Sequence, residues 1–267
     1  MTTNYKVLAI EISIWLRDYA LDNNRKAFVV GVSGGIDSAL VSTLCAMTGI
    51  KTVGVILPCH SKSPETDRGW AHMKMLIDLY PNVSQLEIDI SLTFDWFSMA
   101  LPVELRDKKA QLSFANDKSR LRMIALYHVA GCNDGLVVGT GNKVEDFGVG
   151  YFTKYGDGGV DLSPIADLTK TEVRAMAREL GINEDILTVA PTDGLWDDAR
   201  TDEQALGALY EELEWAMQWL EDGKNCYSTV LLEGLSARQK EVLAIYNKWH
   251  TTGAHKLNPI PTFKKKI

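Results

Sequence analysis

The chain has 267 residues, a length that favours one large α/β domain over two. Apolar residues make up 46% of it and charged residues 24%, enough for a full core in a soluble protein. The net charge of −7 argues against a long nucleic-acid backbone as partner, yet leaves room for a small anion held by a local group of cations.

The opening stretch, MTTNYKVLAIEISIWLRDYALDNN, has apolar residues at Leu8, Ile12, Trp15, Leu16 and Tyr19, the spacing of an amphipathic helix. It has neither the basic start nor the small-residue cleavage site of a leader, and no apolar run reaches membrane-spanning length. A cytoplasmic protein with no membrane partner is expected. AFVVGV (27–32) reads as a strand before a helix over 37–47, and KTVGVILP (51–58) as a strand before a helix over 65–79. SQLEIDI (84–90) follows, then a helix over 116–130 that leads to GLVVGT (135–140). Runs dense in Val and Ile and separated by helices are the pattern of parallel strands buried on both faces. The expected fold class is therefore α/β, a doubly wound parallel sheet flanked by helices, with a helical C-terminal part.

Ligands of such sheets bind beyond the carboxyl ends of the strands, where residues 31–38, 58–63 and 140–146 are expected to converge. Residues 148–164, GVGYFTKYGDGGVDLSP, show neither period and read as a long functional loop. Helices are expected over 170–180, 202–220 and 237–249, then a tail, HKLNPIPTFKKKI. No repeat or linker divides the chain, so a single domain over 1–267 is expected. Cys45, Cys59, Cys132 and Cys226 lie far apart with no metal-ligand spacing, which suits thiols in a reducing compartment.

The stretch FVVGVSGGIDSALVS supports two chemistries. It contains G-x-S-x-G, the nucleophile elbow of α/β-hydrolases, at Gly31, Ser33 and Gly35. An elbow, however, follows several strands and comes with an H-G-G-G-type oxyanion segment; Ser33 follows the first strand and no such segment exists. That reading also leaves Asp37 and Ser38 idle. A phosphate loop uses every residue: Gly34 and Gly35 let backbone N–H groups approach an anion, the next helix aims its positive end at it, and Ser33 and Ser38 add hydroxyls. A carboxylate at Asp37 makes sense beside phosphate mainly as a ligand of Mg²⁺. The plain alternative is a Gly-rich turn with Asp37 and Ser38 as helix caps.

S-G-G-x-D-S after a first strand resembles the pyrophosphatase loop of the ATP-dependent adenylating enzymes, which cleave ATP to AMP and pyrophosphate. Within them, NDKSRLRM (116–123), GTGNKVEDFGVGYFTKYGDGGVDLSPIADLTKTEV (139–173), PTDGLW (191–196), TDEQALGALYEELE (201–214) and HK (255–256) resemble the ammonia-dependent NAD synthetases. The resemblance covers about residues 28 to 256 and implies an adenine-nucleotide α-hydrolase-like sheet. It implies an ATP-binding loop of Gly31, Val32, Ser33, Gly34, Gly35, Ile36, Asp37 and Ser38, with Thr140, Lys170 and Thr192 also on ATP. Asp37, Lys170 and Thr192 would be catalytic, and Asp37 and Glu145 would hold Mg²⁺. Arg120, Lys154, Asp161, His255 and Lys256 would bind deamido-NAD.

The chain carries one residue more between Thr140 and Lys154 than several relatives, so Glu145 or the adjacent Asp146 could be the metal carboxylate; the spacing from Thr140 favours Glu145. By local sequence alone, Arg120 could be a solvated helix position, Lys170 a first-turn lysine, Asp161 and Thr192 turn or cap residues, and His255 and Lys256 a charged tail. Together, in loops beyond strands of an acidic protein, these cations and carboxylates suit a polyphosphate with its metal. The implied substrates are ATP, deamido-NAD and free ammonia, with no glutaminase domain, and the implied assembly is a homodimer. The runner-up is another adenylating amidotransferase such as a GMP synthetase, against which the GYFTKYGDGG block speaks.

Overall fold

Four parallel strands form the centre of the structure, and their order determines where a ligand can sit. The computed structural model describes residues 3–60, 63–107, 110–189, 201–223 and 232–265. Strands β1 (Ala27–Gly31), β2 (Lys51–Ile56), β3 (Val83–Glu87) and β4 (Gly135–Val138) lie in the order β3-β2-β1-β4. Every pairing is parallel, with Val29 opposite Val53 on one side and Val137 on the other. The chain winds outward from β1 through β2 to β3, then returns to place β4 on the other side of β1. The switch point is thus between β1 and β4, where a crevice opens beyond the carboxyl ends. A further bridge, Val138 to Leu162, runs along the free edge of β4.

Alternation along the strands explains why both faces are covered. Phe28, Val30, Leu136 and Val138 face helices α1 (Tyr5–Asp22), α2 (Ile36–Met47) and α6 (Lys170–Glu179). Val29, Val53, Val55 and Val137 face α5 (Gln111–Cys132) and residues leading into α4 (Ser91–Ala100). Helix α3 (Ser63–Leu79) lies beside α2, its Met73 and Leu76 packed with Val32, Ala46 and Ile56. Burying valine and isoleucine side chains of this kind contributes roughly 1.5–3 kcal/mol each. The doubly wound parallel sheet expected from the sequence is the one observed.

The C-terminal helices form a second layer. Helices α8 (Asp202–Leu206), α9 (Tyr210–Glu221) and α10 (Ala237–Leu257) pack with Val144 and Val149 of a π-helical segment, Lys143–Val149. A short helix, α7 (Glu184–Leu187), joins the first layer.

Several elements depart from the sequence pattern. The helix expected over 202–220 is two helices, because Gly207 takes the left-handed conformation at φ 88° and ends α8. Helix α5 begins five residues earlier than expected, at Gln111, and α4 had no expectation at all. The last helix runs on to Leu257, so His255 and Lys256 sit in its final turn instead of a tail. On α1 the buried stripe is Ala9, Ser13, Leu16 and Ala20, and Trp15 and Tyr19 are exposed, outside the apolar face.

Candidate active site

A cleft of about 820 Å³ opens at the switch point, toward the upper end of small-molecule sites at ~300–1,000 Å³. The loop after β1 forms one wall. Gly35 caps α2 with no side-chain hydrogen bond, so neither Asp37 nor Ser38 plays the capping part that the plain alternative gave them. Ser38 Oγ instead ties the loop internally: it accepts from Ser33 N–H at 3.2 Å and donates to the Gly35 carbonyl at 2.9 Å. The first N–H groups of α2 are left facing the cleft, an anion site by geometry and dipole. Gly34 has φ 85°, and a Cβ there would run into the backbone carbonyl of Glu65. Arg68 Nε donates to the Gly34 carbonyl at 3.3 Å, which ties the loop to α3.

Beneath the loop is a buried charge cluster. Lys170 opens α6 behind a capping box of Thr169 and Glu172, and its side chain is 1% exposed. Its Nζ donates to Asp37 Oδ2 at 2.5 Å and to Glu145 Oε1 at 2.9 Å. Burial works to lower the ammonium's pKa, but the two carboxylates outweigh it and hold Lys170 above its ordinary range. Burial also raises the Glu145 carboxyl, against the pull of Lys170. Asn142 links both acids: its Oδ1 accepts from Val144 N–H and Glu145 N–H, and its Nδ2 donates to Asp37 Oδ1 at 3.3 Å. Asp146 lines the same cleft, its carboxylate against Gly141. Burial and the neighbouring charges of Asp157, Glu145 and Asp37 push its carboxyl well above the usual range.

Arg120, Lys154, His255 and Lys256 also line the cleft. Arg120 Nε donates to the Lys154 carbonyl at 3.3 Å, which ties α5 to the GYFTKYGDGG segment. Lys256 Nζ donates to the Gly150 and Phe152 carbonyls, and lies 4.6 Å from the centre of the Phe152 ring. Burial lowers its pKa, against the opposing charges of Asp157 and Asp146. His255 is exposed, with Nδ1 3.1 Å from the Thr252 carbonyl.

Comparison with known proteins gives this geometry a family. The model of the NAD synthase family matches residues 8–260. An NH(3)-dependent NAD(+) synthetase of Carboxydothermus hydrogenoformans is 39% identical over 80% of the chain and 86% of its own length. Another, from Alkaliphilus oremlandii, is 34% identical over 99% of both. The chain belongs to the NAD synthase family. Among solved structures, NMN synthetase from Francisella tularensis is similar at 29% identity and a TM-score of 0.82, over 99% of this chain and all of that one.

The cleft brings together most residues singled out by sequence. Gly31, Val32, Ser33, Gly35, Ile36, Asp37, Ser38, Thr140, Glu145, Lys170, Arg120, Lys154, His255 and Lys256 all line it. Gly34 lies behind the loop, against α3. Asp161 is not among the lining residues: Oδ2 accepts from Val137 N–H at 2.8 Å and Oδ1 from the Tyr127 hydroxyl at 3.0 Å, which secures the edge of β4. Thr192 lies outside the described residues, as does Cys226.

Asn142 and Tyr210 were missed. Asn142 reads locally as a loop polar residue. Tyr210 reads as one more apolar position of a helix, although its hydroxyl donates to Glu145. Burial, then Glu145 and Asp202, raise the phenol's pKa and keep it a donor.

Proposed function

We propose that the protein joins ammonia to the nicotinate carboxylate of deamido-NAD, using ATP and releasing AMP and pyrophosphate. The observation that carries this reading is the convergence of the S-G-G-x-D-S loop, the Asp37–Lys170–Glu145 cluster and the GYFTKYGDGG segment on one cleft. In the first step the nicotinate carboxylate attacks the α-phosphorus of ATP and pyrophosphate leaves, giving a mixed anhydride. In the second, ammonia attacks the activated carbonyl, loses a proton and expels AMP, leaving the amide. The first nucleophile is already ionised and needs no base. What it needs is alignment and neutralisation of charge developing on the leaving group.

Lys170 and the N–H groups at the start of α2 serve the polyphosphate, with Thr140 and, by resemblance, Thr192. Arg120, Lys154, His255 and Lys256 hold the dinucleotide, and Asp161 supports that wall from behind.

Asp37 and Glu145 fit a magnesium ion. They already share one cation, and among the described residues no group of three or more His, Cys, Asp or Glu forms a closed cage. Mg²⁺ ordinarily takes one or two carboxylates together with phosphate and water. Bound there, it would supply charge neutralisation at the phosphates.

Incubation with ATP, Mg²⁺, ammonium and deamido-NAD should yield NAD and pyrophosphate, followed by mass; xanthosine monophosphate should not replace the dinucleotide. Glutamine in place of ammonium should fail. A second reading, favoured by the likeness to NMN synthetase, is amidation of the nicotinate mononucleotide. Comparing kcat/KM for the two acids decides between them, and a preference for the mononucleotide would reverse our choice.

The assembly we propose is a homodimer in the cytoplasm. Its candidate surface is α4 with the adjacent face of α5, where Leu92, Trp96 and Ile124 are each about two-thirds or more exposed. Among the described residues no helix is long and apolar enough to cross a membrane.

A further inference from the structure

We propose that Tyr210 is a positioning residue for the carboxylate pair, fixing Glu145 through its hydroxyl and carrying Lys170 on its ring, and so setting the affinity for the divalent ion. This rests on the reading of Asp37 and Glu145 as the metal carboxylates.

Tyr210 opens α9 and is completely buried. Its hydroxyl donates to Glu145 Oε1, with Asp202 Oδ2 3.3 Å away as a second acceptor. The centre of its ring lies 4.9 Å from Lys170 Nζ and 5.8 Å from Arg174 Cζ, within cation–π range of both. Glu145 Oε1 therefore receives two donors, Tyr210 and Lys170. The terminal torsion of a glutamate is broad and does not by itself aim the carboxylate. With Oε1 held, the direction of Oε2 is fixed.

When Lys170 turns toward a phosphate, the phenol is the donor that stays. Its backbone is anchored separately, by Tyr210 N–H to Glu203 Oε1 at 3.2 Å. A phenylalanine would fill the same apolar cluster of Val144, Leu213 and Tyr246. The hydroxyl is therefore the part that acts on Glu145, and the ring is the part that packs.

Tyr210→Phe separates the two. Manganese binding is read by electron paramagnetic resonance with a non-hydrolysable ATP analogue present, alongside the Mg²⁺ dependence of turnover and thermal melting. The variant should fold and weaken Mn²⁺ about tenfold, the lower end of a hydrogen bond to a charged group. Its half-saturating Mg²⁺ should rise in parallel, kcat should recover at high Mg²⁺, and KM for deamido-NAD should stay within about twofold, because the partners of Tyr210 are Glu145, Asp202, Lys170 and Arg174 and none of the residues proposed to hold the dinucleotide. Asp202→Asn can donate its amide to the phenol oxygen and leave the proton to Glu145, so it should keep wild-type Mn²⁺ affinity.

Unchanged Mn²⁺ affinity in Tyr210→Phe, a loss of kcat that Mg²⁺ does not restore, failure of the variant to fold, or equal weakening in Asp202→Asn would each overturn the proposal. If the wild-type protein made no amide product at all, the functional reading would fall, which the manganese titration reports separately.

Discussion

At the scale of single residues, the cluster beneath the loop is organised around shared cations. Asp37 and Glu145 accept from one ammonium in a site nearly closed to solvent, where like charges repel strongly unless a cation lies between them. On our proposal, Lys170 and a divalent ion would be alternatives for the same pair. Lys170→Met should bind Mn²⁺ without nucleotide at least about tenfold more tightly than wild type, a gain of ~1.4 kcal/mol; equal binding by the two proteins would reject the competition. Asp37→Ala removes one of the two carboxylates proposed to hold the metal. Pyrophosphate release should then fall about 100-fold, equivalent to ~2.7 kcal/mol of barrier, and near-normal turnover would remove Asp37 from its assigned role.

Asp37 was singled out in the sequence because a carboxylate in a glycine-rich loop is odd, and the structure places it in the cleft against Lys170. Asn142 and Tyr210 were not. Their partners, Asp37 and Glu145, lie 105 and 65 residues away in the chain, and nothing local distinguishes a polar loop residue or a buried helix aromatic from its neighbours.

Elements place these residues through close backbone contact. Helix α10 reaches the cleft because Gly253 meets Gly150: a Cβ on Gly253 would lie 3.0 Å from Gly150 Cα and 3.1 Å from the Val149 carbonyl. Gly253→Val should push the helix away and pull Lys256 off the Gly150 and Phe152 carbonyls. The expected result is a KM for deamido-NAD raised about tenfold (~1.4 kcal/mol) with KM for ATP little changed; equal effects on both substrates would count against it.

Helices α2 and α3 are joined by a second device. Ser42 Oγ donates to the Ser38 carbonyl at 2.8 Å and lies 2.9 Å from Nε2 of the buried His72. Burial lowers the His72 pKa to about 4 from 6.5, against a backbone hydrogen bond with Ala39. Between those values the unfolded chain takes up a proton that the folded one refuses. Stability is therefore lost as pH falls from 6.5 toward 4, by as much as about 3 kcal/mol. His72→Gln keeps a donor for Ser42 without the titration, so the stability difference between wild type and variant should shrink by that amount over this window. All other groups are the same in both proteins and cancel. A difference that stays flat with pH would reject the assignment.

At the scale of the whole molecule, what was legible is what repeats in the strands. Val-rich runs between helices gave the parallel sheet, because a strand buried on both faces has to be apolar at nearly every position. The layer of α8, α9 and α10 was legible only as helices, since how a helix packs depends on distant surfaces. Helix α4 was illegible for a related reason: SLTFDWFSMA is short, and its stripe of Ser91, Asp95 and Ser98 is flanked by apolar residues none of which is fully buried.

That composition also makes α4 the candidate seam between two copies. Leu92, Trp96 and Met99 recur along one exposed face, and Ile124 is exposed on α5, in a chain whose sheet faces are otherwise covered. Helix α5 also carries Arg120 and Arg122 into the cleft, so pairing along this face would fix the wall of the dinucleotide site from outside. Trp96→Glu places a charge in the middle of the proposed seam, and sedimentation should show the dimer converted to monomer. Loss of dimer should raise KM for deamido-NAD more than KM for ATP, because α5 carries Arg120, proposed to hold the dinucleotide, and α2 follows the loop proposed to hold ATP. A Trp96→Glu protein that remains dimeric would place the interface on another surface, with the exposed Trp15 and Tyr19 of α1 next in line.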